Sequence, residues 1–135
     1  MKIVALSDHI GVSEQISPDD VAEIVAAGYR VLVNNRPDGE AVDQPSSAAI
    51  EAAASAAGIE YHYLPVTAKD FPGADASEMA RLFADPEKPV LAFCRTGTRC
   101  TNLWVATRAL GEEQDSARQQ ARALGYDLAM SSPKS

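Results

Sequence analysis

The sequence predicts an α/β domain with a mainly parallel central sheet flanked by helices. Three observations carry that expectation. The apolar runs Val31-Leu32-Val33 and Val90-Leu91-Ala92-Phe93 lack polar alternation, as strands covered on both faces do. From Gly11–Gln15 onward, stretches with helix start and stop signals separate the strand candidates one from the next. After residue 97 the pattern is helical only, so the strand–helix alternation ends there. At 135 residues the chain fits one domain, placed at residues 1–130, with 131–135 as a frayed tail.

Taken in order, Lys2–Leu6 and Gly11–Gln15 read as short strands around an Asp8-His9 turn. Ser17-Pro18-Asp19-Asp20 is a helix start, with a capping serine, proline at the first helical position and acids in the first turn. Val21, Ile24 and Val25 form the apolar stripe of that helix until Gly28 ends it. Tyr29–Val33 is the next strand, and Asn34-Asn35-Arg36-Pro37-Asp38-Gly39 a polar turn at its carboxyl end. Ser46–Ala57 is an alanine-rich helix closing at Gly58, and Ile59–Val66 a further strand leading into the loop Thr67–Gly73. Asp75–Ala84 reads as a helix and Asp85–Pro89 as a turn into the Val90–Phe93 strand. A helix opens at Thr98 or Cys100 and runs to about Leu110, with Leu103, Trp104, Ala106 and Thr107 on its inner face. Gly111 breaks it, and Ser116–Leu124 forms the last helix.

A net charge of −7 and a pI near 4.7 argue against nucleic acid or an anionic membrane as partner. Apolar runs fall short of the roughly 20 residues a membrane span needs, and the N-terminus lacks a secretory hydrophobic region, so cytoplasm is expected. Cys94 and Cys100 are the only cysteines, too few for a disulfide framework and more suggestive of reactivity. His9 and His62 have no metal-ligand spacing with them, so no metal site and no cofactor are expected.

In a parallel sheet, ligands bind beyond the strands' carboxyl ends, where Asn34–Asp38, Thr67–Asp70 and Cys94–Arg99 would gather. The last loop carries the chemistry. A strand, a tight loop and a helix start place Cys94 in the field of a helix N-terminus, with two guanidinium groups nearby, which favours the thiolate nucleophile. Gly97 lets the loop turn its amides inward around an anion, Thr96 and Thr98 supply further loop amides, and Arg99 can grip an oxyanion with a two-pronged contact. Arg95 is either a substrate contact or exposed charge. Cys100 is either a small packing residue or a second thiol able to pair with Cys94 or take sulfur from it. Asp70 is either a general acid reaching over the site or a turn residue before Phe71-Pro72-Gly73. Lys69 can add positive charge, and Arg36, in the loop on the same face, is expected to pair with Asp38.

The run Ala92–Cys100, with Asn34-Asn35-Arg36-Pro37-Asp38 and Leu64-Pro65-Val66-Thr67-Ala68-Lys69-Asp70, resembles the phosphatase-like domain of bacterial beta-lactamase-hydrolase-like proteins, a family also described as small sulfurtransferases. The resemblance implies a dual-specificity-phosphatase-like fold. Cysteine phosphatases of that fold use His-Cys, five residues, then Arg and Ser or Thr. Here Phe93 stands in the histidine's place, four residues separate Cys94 from Arg99, and Cys100 replaces the hydroxyl. Cys94-Arg95-Thr96-Gly97-Thr98-Arg99 is similar instead to the short loop of rhodanese sulfurtransferases, which carry sulfur as a cysteine persulfide held by loop amides. Rhodaneses return to a strand after the helix that follows this loop, whereas this chain ends in helices.

The expected activity is therefore sulfur transfer through a Cys94 persulfide, from a small anionic sulfur donor to a thiol acceptor. The alternatives are phosphoester hydrolysis through a Cys94 phosphoenzyme, with Arg99 binding phosphate and Asp70 as acid, and an anion- or redox-sensing module.

Overall fold

Successive side chains of a strand point to opposite faces, and that parity arranges the molecule. The computed structural model describes residues 1–131. Its strands are β1 (Ile3–Ser7), β2 (Ile10–Ser13), β3 (Val31–Asn34), β4 (Glu60–Tyr63) and β5 (Val90–Phe93). They form one sheet in the order β1-β2-β5-β3-β4, with β1 antiparallel to β2 and the other neighbours parallel. In register, Val31 faces Val90 and Asn34 faces Phe93, so β3 and β5 end level at the carboxyl edge.

The helices are α1 (Val21–Ala26), α2 (Ser47–Ala57), α3 (Ala76–Phe83), α4 (Thr98–Ala106) and α5 (Glu112–Ala123). Leu32, Leu91 and Phe93 pack with Ile24 of α1 and Ile50 and Ala54 of α2 on one face. Val31, Val33, Val90, Ala92 and Cys94 pack on the other, with Met79 and Phe83 of α3, Leu103 and Trp104 of α4 and Ala117 and Ala121 of α5. The expected α/β architecture is thus realised, and the two continuous apolar runs are covered on both sides. Parity places Cys94 on the α4 face.

Local chemistry accounts for the element ends. Pro18–Asp20 forms a 3-10 turn with a capping box, in which Asp20 Oδ2 accepts from the Ser17 N–H at 2.8 Å, before α1 begins. Ser46 caps α2 by accepting from the Ala49 N–H at 3.1 Å, and Gly58 closes it in a left-handed conformation.

Several expectations need correction. Val21 and Ile24, three apart, share the buried side of α1, whereas Val25 lies a further step round the helix and is exposed. The helix after the loop stops at Ala106 rather than near Leu110, with the Thr107 hydroxyl donating back to the Leu103 carbonyl at 2.7 Å, and Leu110 is exposed. Cys100, Thr101, Asn102, Leu103, Trp104 and Val105 are all buried, so this helix is enclosed all round rather than along one face, and Ala106 and Thr107 are half-buried. The last helix starts at Glu112, before Ser116, because Glu112, Glu113 and Asp115 suit the positive end of a helix following Gly111.

Ser131 was expected in a frayed tail and is instead anchored. Its N–H and hydroxyl donate to Asn102 Oδ1 at 3.1 and 2.8 Å, while residues 132–135 lie outside the described residues. Asn102, fully buried on α4, also donates through Nδ2 to the Thr98 and Asp127 carbonyls, both at 2.8 Å. One amide thereby fixes the segment 127–131 against the helix that begins at the loop. We predict that Asn102→Ala lowers unfolding free energy by about 3 kcal/mol, because it strands several buried polar partners. Urea denaturation measures this, and a loss within experimental error would remove the anchoring role.

Candidate active site

The loop from Cys94 to Arg99 hangs between the carboxyl end of β5 and the first turn of α4, and its neighbours hold it at three points. The Cys94 N–H donates to the Ser13 carbonyl at 3.4 Å, the Arg95 carbonyl accepts from the Gln15 N–H at 3.3 Å, and the Phe93 carbonyl accepts from the Asn35 N–H at 2.9 Å. Gly97 turns the chain with φ 87° and would place a Cβ 3.5 Å from the Ser13 backbone and from the Tyr126 hydroxyl. Its carbonyl is taken by the Thr101 hydroxyl at 2.9 Å and the Thr101 N–H at 3.0 Å. With the carbonyl drawn into the helix, the Gly97 N–H points inward and donates to Cys94 Sγ at 3.1 Å.

The thiol chemistry follows from this geometry. Cys94 is buried, and its pKa falls to about 6. The hydrogen bond from the Cys100 thiol contributes most; burial opposes it, and the backbone N–H groups of Cys100, Thr96 and Arg99 add to the lowering. Burial pushes the Cys100 thiol well above its ordinary value, and the hydrogen bond to Cys94 reinforces this, so Cys100 keeps its proton and acts as donor. Both cysteines are free.

Arg99 does not face an empty cradle. Nη1 and Nη2 donate to the Glu40 carboxylate at 3.1 and 3.2 Å, and Nη1 also donates to the Val66 carbonyl at 3.0 Å. Arg36, expected to pair with Asp38, is buried and donates instead to Glu40 Oε1 and Gln15 Oε1, each at 3.0 Å. Asp38 Oδ1 is occupied by the Ser47 N–H at 2.8 Å. Glu40 is held below the usual carboxylate range by hydrogen bonds and charge from Arg99 and Arg36, which outweigh its partial burial. The loops after β3 and β4 therefore both reach Arg99, as their place at the sheet edge suggested.

A cavity of about 410 Å³ opens over the loop, lined by Cys94, Arg95, Thr96, Thr98 and Arg99, with Asp127 and Met130 from the C-terminal segment. The Thr96 hydroxyl donates to the Thr98 hydroxyl at 3.1 Å, and Arg95 is exposed. Asp70 and Lys69 are exposed and do not line the cavity. Asp70 Oδ1 accepts from the Thr67 N–H and hydroxyl at 2.6 and 2.7 Å, and these bonds lower its pKa, the direction of a turn-closing carboxylate. Glu40, Asp127 and Met130 were not found by sequence reasoning. Glu40 is 59 positions from Arg99, and no local pattern marks that pairing. Among the described residues no group of three or more His, Cys, Asp or Glu side chains is arranged to hold a metal, and no helix is long and apolar enough to cross a membrane.

Residues 2–111 match the family model of the beta-lactamase hydrolase-like protein, phosphatase-like domain. Beta-lactamase hydrolase-like proteins of Xylella fastidiosa (strain Temecula1) and Agrobacterium fabrum are 34% and 33% identical over 130 and 134 residues, 95% of this chain in each case. The chain spans 30% of the length of those relatives. A solved candidate phosphatase from Neisseria meningitidis is 38% identical, superposes with a TM-score of 0.80, and is matched over 96% of this chain and 92% of its own. P. aeruginosa TpbA shares the fold, with a TM-score of 0.61 at 19% identity over 93% of this chain and 74% of its own.

Because the Cys94 thiolate forms as pH rises through about 6, alkylation of Cys94 by iodoacetamide should accelerate over that range and level off above it. Cys100→Ala should move the midpoint toward an ordinary thiol's value of about 8.5, while Cys100→Ser, which keeps a donor, should largely retain it. An unchanged midpoint in Cys100→Ala would remove the donor role.

Proposed function

The chain belongs to the family of the beta-lactamase hydrolase-like protein's phosphatase-like domain, and from that premise we propose that it is a cysteine-dependent sulfurtransferase. Its fold is that of cysteine-based phosphatases. The observation that carries the finer reading is the Gly97 N–H donating to Cys94 Sγ at 3.1 Å within a loop that lowers the Cys94 pKa. The Gly97 N–H, the Cys100 thiol and neighbouring backbone N–H groups all stabilise Cys94 Sγ. With four residues between Cys94 and Arg99, and Arg99 already forked onto Glu40, the loop suits a cargo of one sulfur atom better than a tetrahedral phosphate.

In the transfer, the Cys94 thiolate attacks the sulfane sulfur of a donor such as thiosulfate or glutathione persulfide. With thiosulfate the S–S bond breaks toward sulfite, which departs with the electron pair, and Cys94 is left as a persulfide. The inward N–H groups that held the thiolate now stabilise the persulfide's negative charge. A thiol acceptor takes the outer sulfur and restores the Cys94 thiolate.

A second reading, phosphoester hydrolysis, is favoured by the family and by the fold shared with TpbA, whose cysteine-to-serine variant has been solved with phosphotyrosine at a TM-score of 0.58 to this chain. In that reaction Cys94 would attack phosphorus, Arg99 would exchange Glu40 for the phosphate oxygens, and Asp70 would leave its Thr67 contacts to protonate the leaving group.

Mass spectrometry separates the two. After incubation with thiosulfate, the native protein should gain one sulfur on Cys94 and Cys94→Ser should gain none. No gain, together with Cys94-dependent phosphate release from aryl phosphates, would overturn the sulfurtransferase reading in favour of the phosphatase. In that event Asp70→Asn should slow release by about 100-fold if Asp70 is the acid, and an unchanged rate would end that assignment.

A further inference from the structure

The cavity over Cys94 bears opposite charges that the thiolate chemistry does not use. Arg95 directly follows the nucleophile, is exposed, and among the described residues its guanidinium has no ion pair. Asp127 lines the same cavity and is exposed. Its Oδ1 accepts from the Ala129 N–H at 2.9 Å, and its second carboxylate oxygen is uncommitted among the described residues. The Asp127 backbone is fixed in place by Asn102 Nδ2 at 2.8 Å, so this carboxylate is presented by an anchored segment. Met130 adds an apolar stretch of wall. Arg99, the other cation of the lining, has its guanidinium engaged by Glu40, a carboxylate it shares with Arg36.

This balance bears on which molecule fits. A dianion entering the cavity meets the Cys94 thiolate and Asp127, both negative, and among the described residues Arg95 is the cation of the lining with no carboxylate partner. A small zwitterion can place a carboxylate on Arg95 and an ammonium on Asp127, satisfying both. We propose that the sulfur donor is a small amino-acid persulfide of the cysteine type, bound through those two contacts. The proposal rests on the sulfurtransferase reading for its chemistry, and on the cavity's charges for its selectivity.

The reaction balances without an oxidant or reductant. The Cys94 thiolate attacks the outer sulfur of R–S–SH, and a new S–S bond forms. The donor's S–S bond breaks with its electron pair leaving as the thiolate R–S⁻. The hydrogen stays on the transferred sulfur, giving Cys94–S–SH. A second zwitterionic thiol, entering as its thiolate, takes that outer sulfur by the same exchange and releases Cys94.

The test compares three persulfides on the same two-carbon thiol skeleton: those of cysteine, of 3-mercaptopropionate (no ammonium) and of cysteamine (no carboxylate). Loading of Cys94 is followed by mass spectrometry. Cysteine persulfide should load about fivefold faster than either analogue, the size expected of one partly exposed ion pair. Asp127→Asn should erase its advantage over the 3-mercaptopropionate compound, and Arg95→Gln its advantage over the cysteamine compound. Equal rates for all three donors, or a preference that survives both variants, would overturn the proposal. A readout without sulfur transfer keeps the two readings apart. S-methylcysteine should slow iodoacetamide alkylation of Cys94 in the native protein, and less so in Asp127→Asn and Arg95→Gln. Protection without loading by any donor would sink the sulfurtransferase reading and leave zwitterion recognition standing. Loading without charge selectivity or protection would do the reverse.

Discussion

The structure depends on keeping a negative sulfur atom inside a protein. Burying a charge is costly unless donors surround it, and Cys94 lies at the buried end of a central strand. The cost is met locally. Gly97 adopts a left-handed turn, which brings its N–H to Sγ, and the buried Cys100 supplies a thiol donor from the first turn of α4. Each of these donors needs support of its own. The Gly97 carbonyl is held by Thr101, the Tyr126 hydroxyl lies against Gly97, and Ser13 of the neighbouring strand anchors the loop's first N–H. Disturbing the loop from behind should therefore act on the thiolate even where no residue touches it.

A second constraint surrounds Arg99. Two guanidinium groups, Arg36 and Arg99, share one carboxylate, Glu40, and Arg36 is almost wholly buried. Removing Glu40 would leave a buried cation without a counter-charge, so the carboxylate cannot be read only as a stand-in for substrate. For phosphate chemistry this is an obstacle, since a dianion must displace or tolerate Glu40. For sulfur transfer it is an advantage, because Arg99 can brace the loop through the cycle without binding the cargo. With the Arg99 fork engaged, Arg95 and Asp127 are the charged side chains of the cavity lining left open to a visiting molecule.

Much of the fold was legible because its signals are local. Continuous apolar runs marked β3 and β5, a capping serine with a following proline marked one helix start, and the Cys94–Arg99 spacing marked the loop. Elements were misjudged where a local rule was applied too broadly. Val25 was counted in a stripe that a short helix could not bury, and the start of α5 was sought at a serine when acidic residues opened it. The contacts that shape the site were not legible because they join distant positions. Glu40 reaches Arg99 across 59 positions, and Asn102 gathers Asp127 and Ser131 across 25 and 29. Such pairings depend on the relative placement of whole elements, which periodicity does not encode.

Fold and loop length pull the functional reading in different directions, and the physical reason is that they govern different things. The sheet and its helices determine where a thiolate sits and how a helix N-terminus faces it, and those requirements are common to phosphoryl and sulfur transfer. The number of residues between the cysteine and the arginine determines how large an anion the inward N–H groups can enclose. A scaffold suited to a thiophosphate intermediate can therefore hold a persulfide once the loop contracts onto the sulfur and the arginine finds a permanent carboxylate. In this chain the Gly97 N–H meets Sγ and Glu40 occupies the fork of Arg99. On the proposed sulfurtransferase reading, the loop selects the reaction on a fold that leaves either one open.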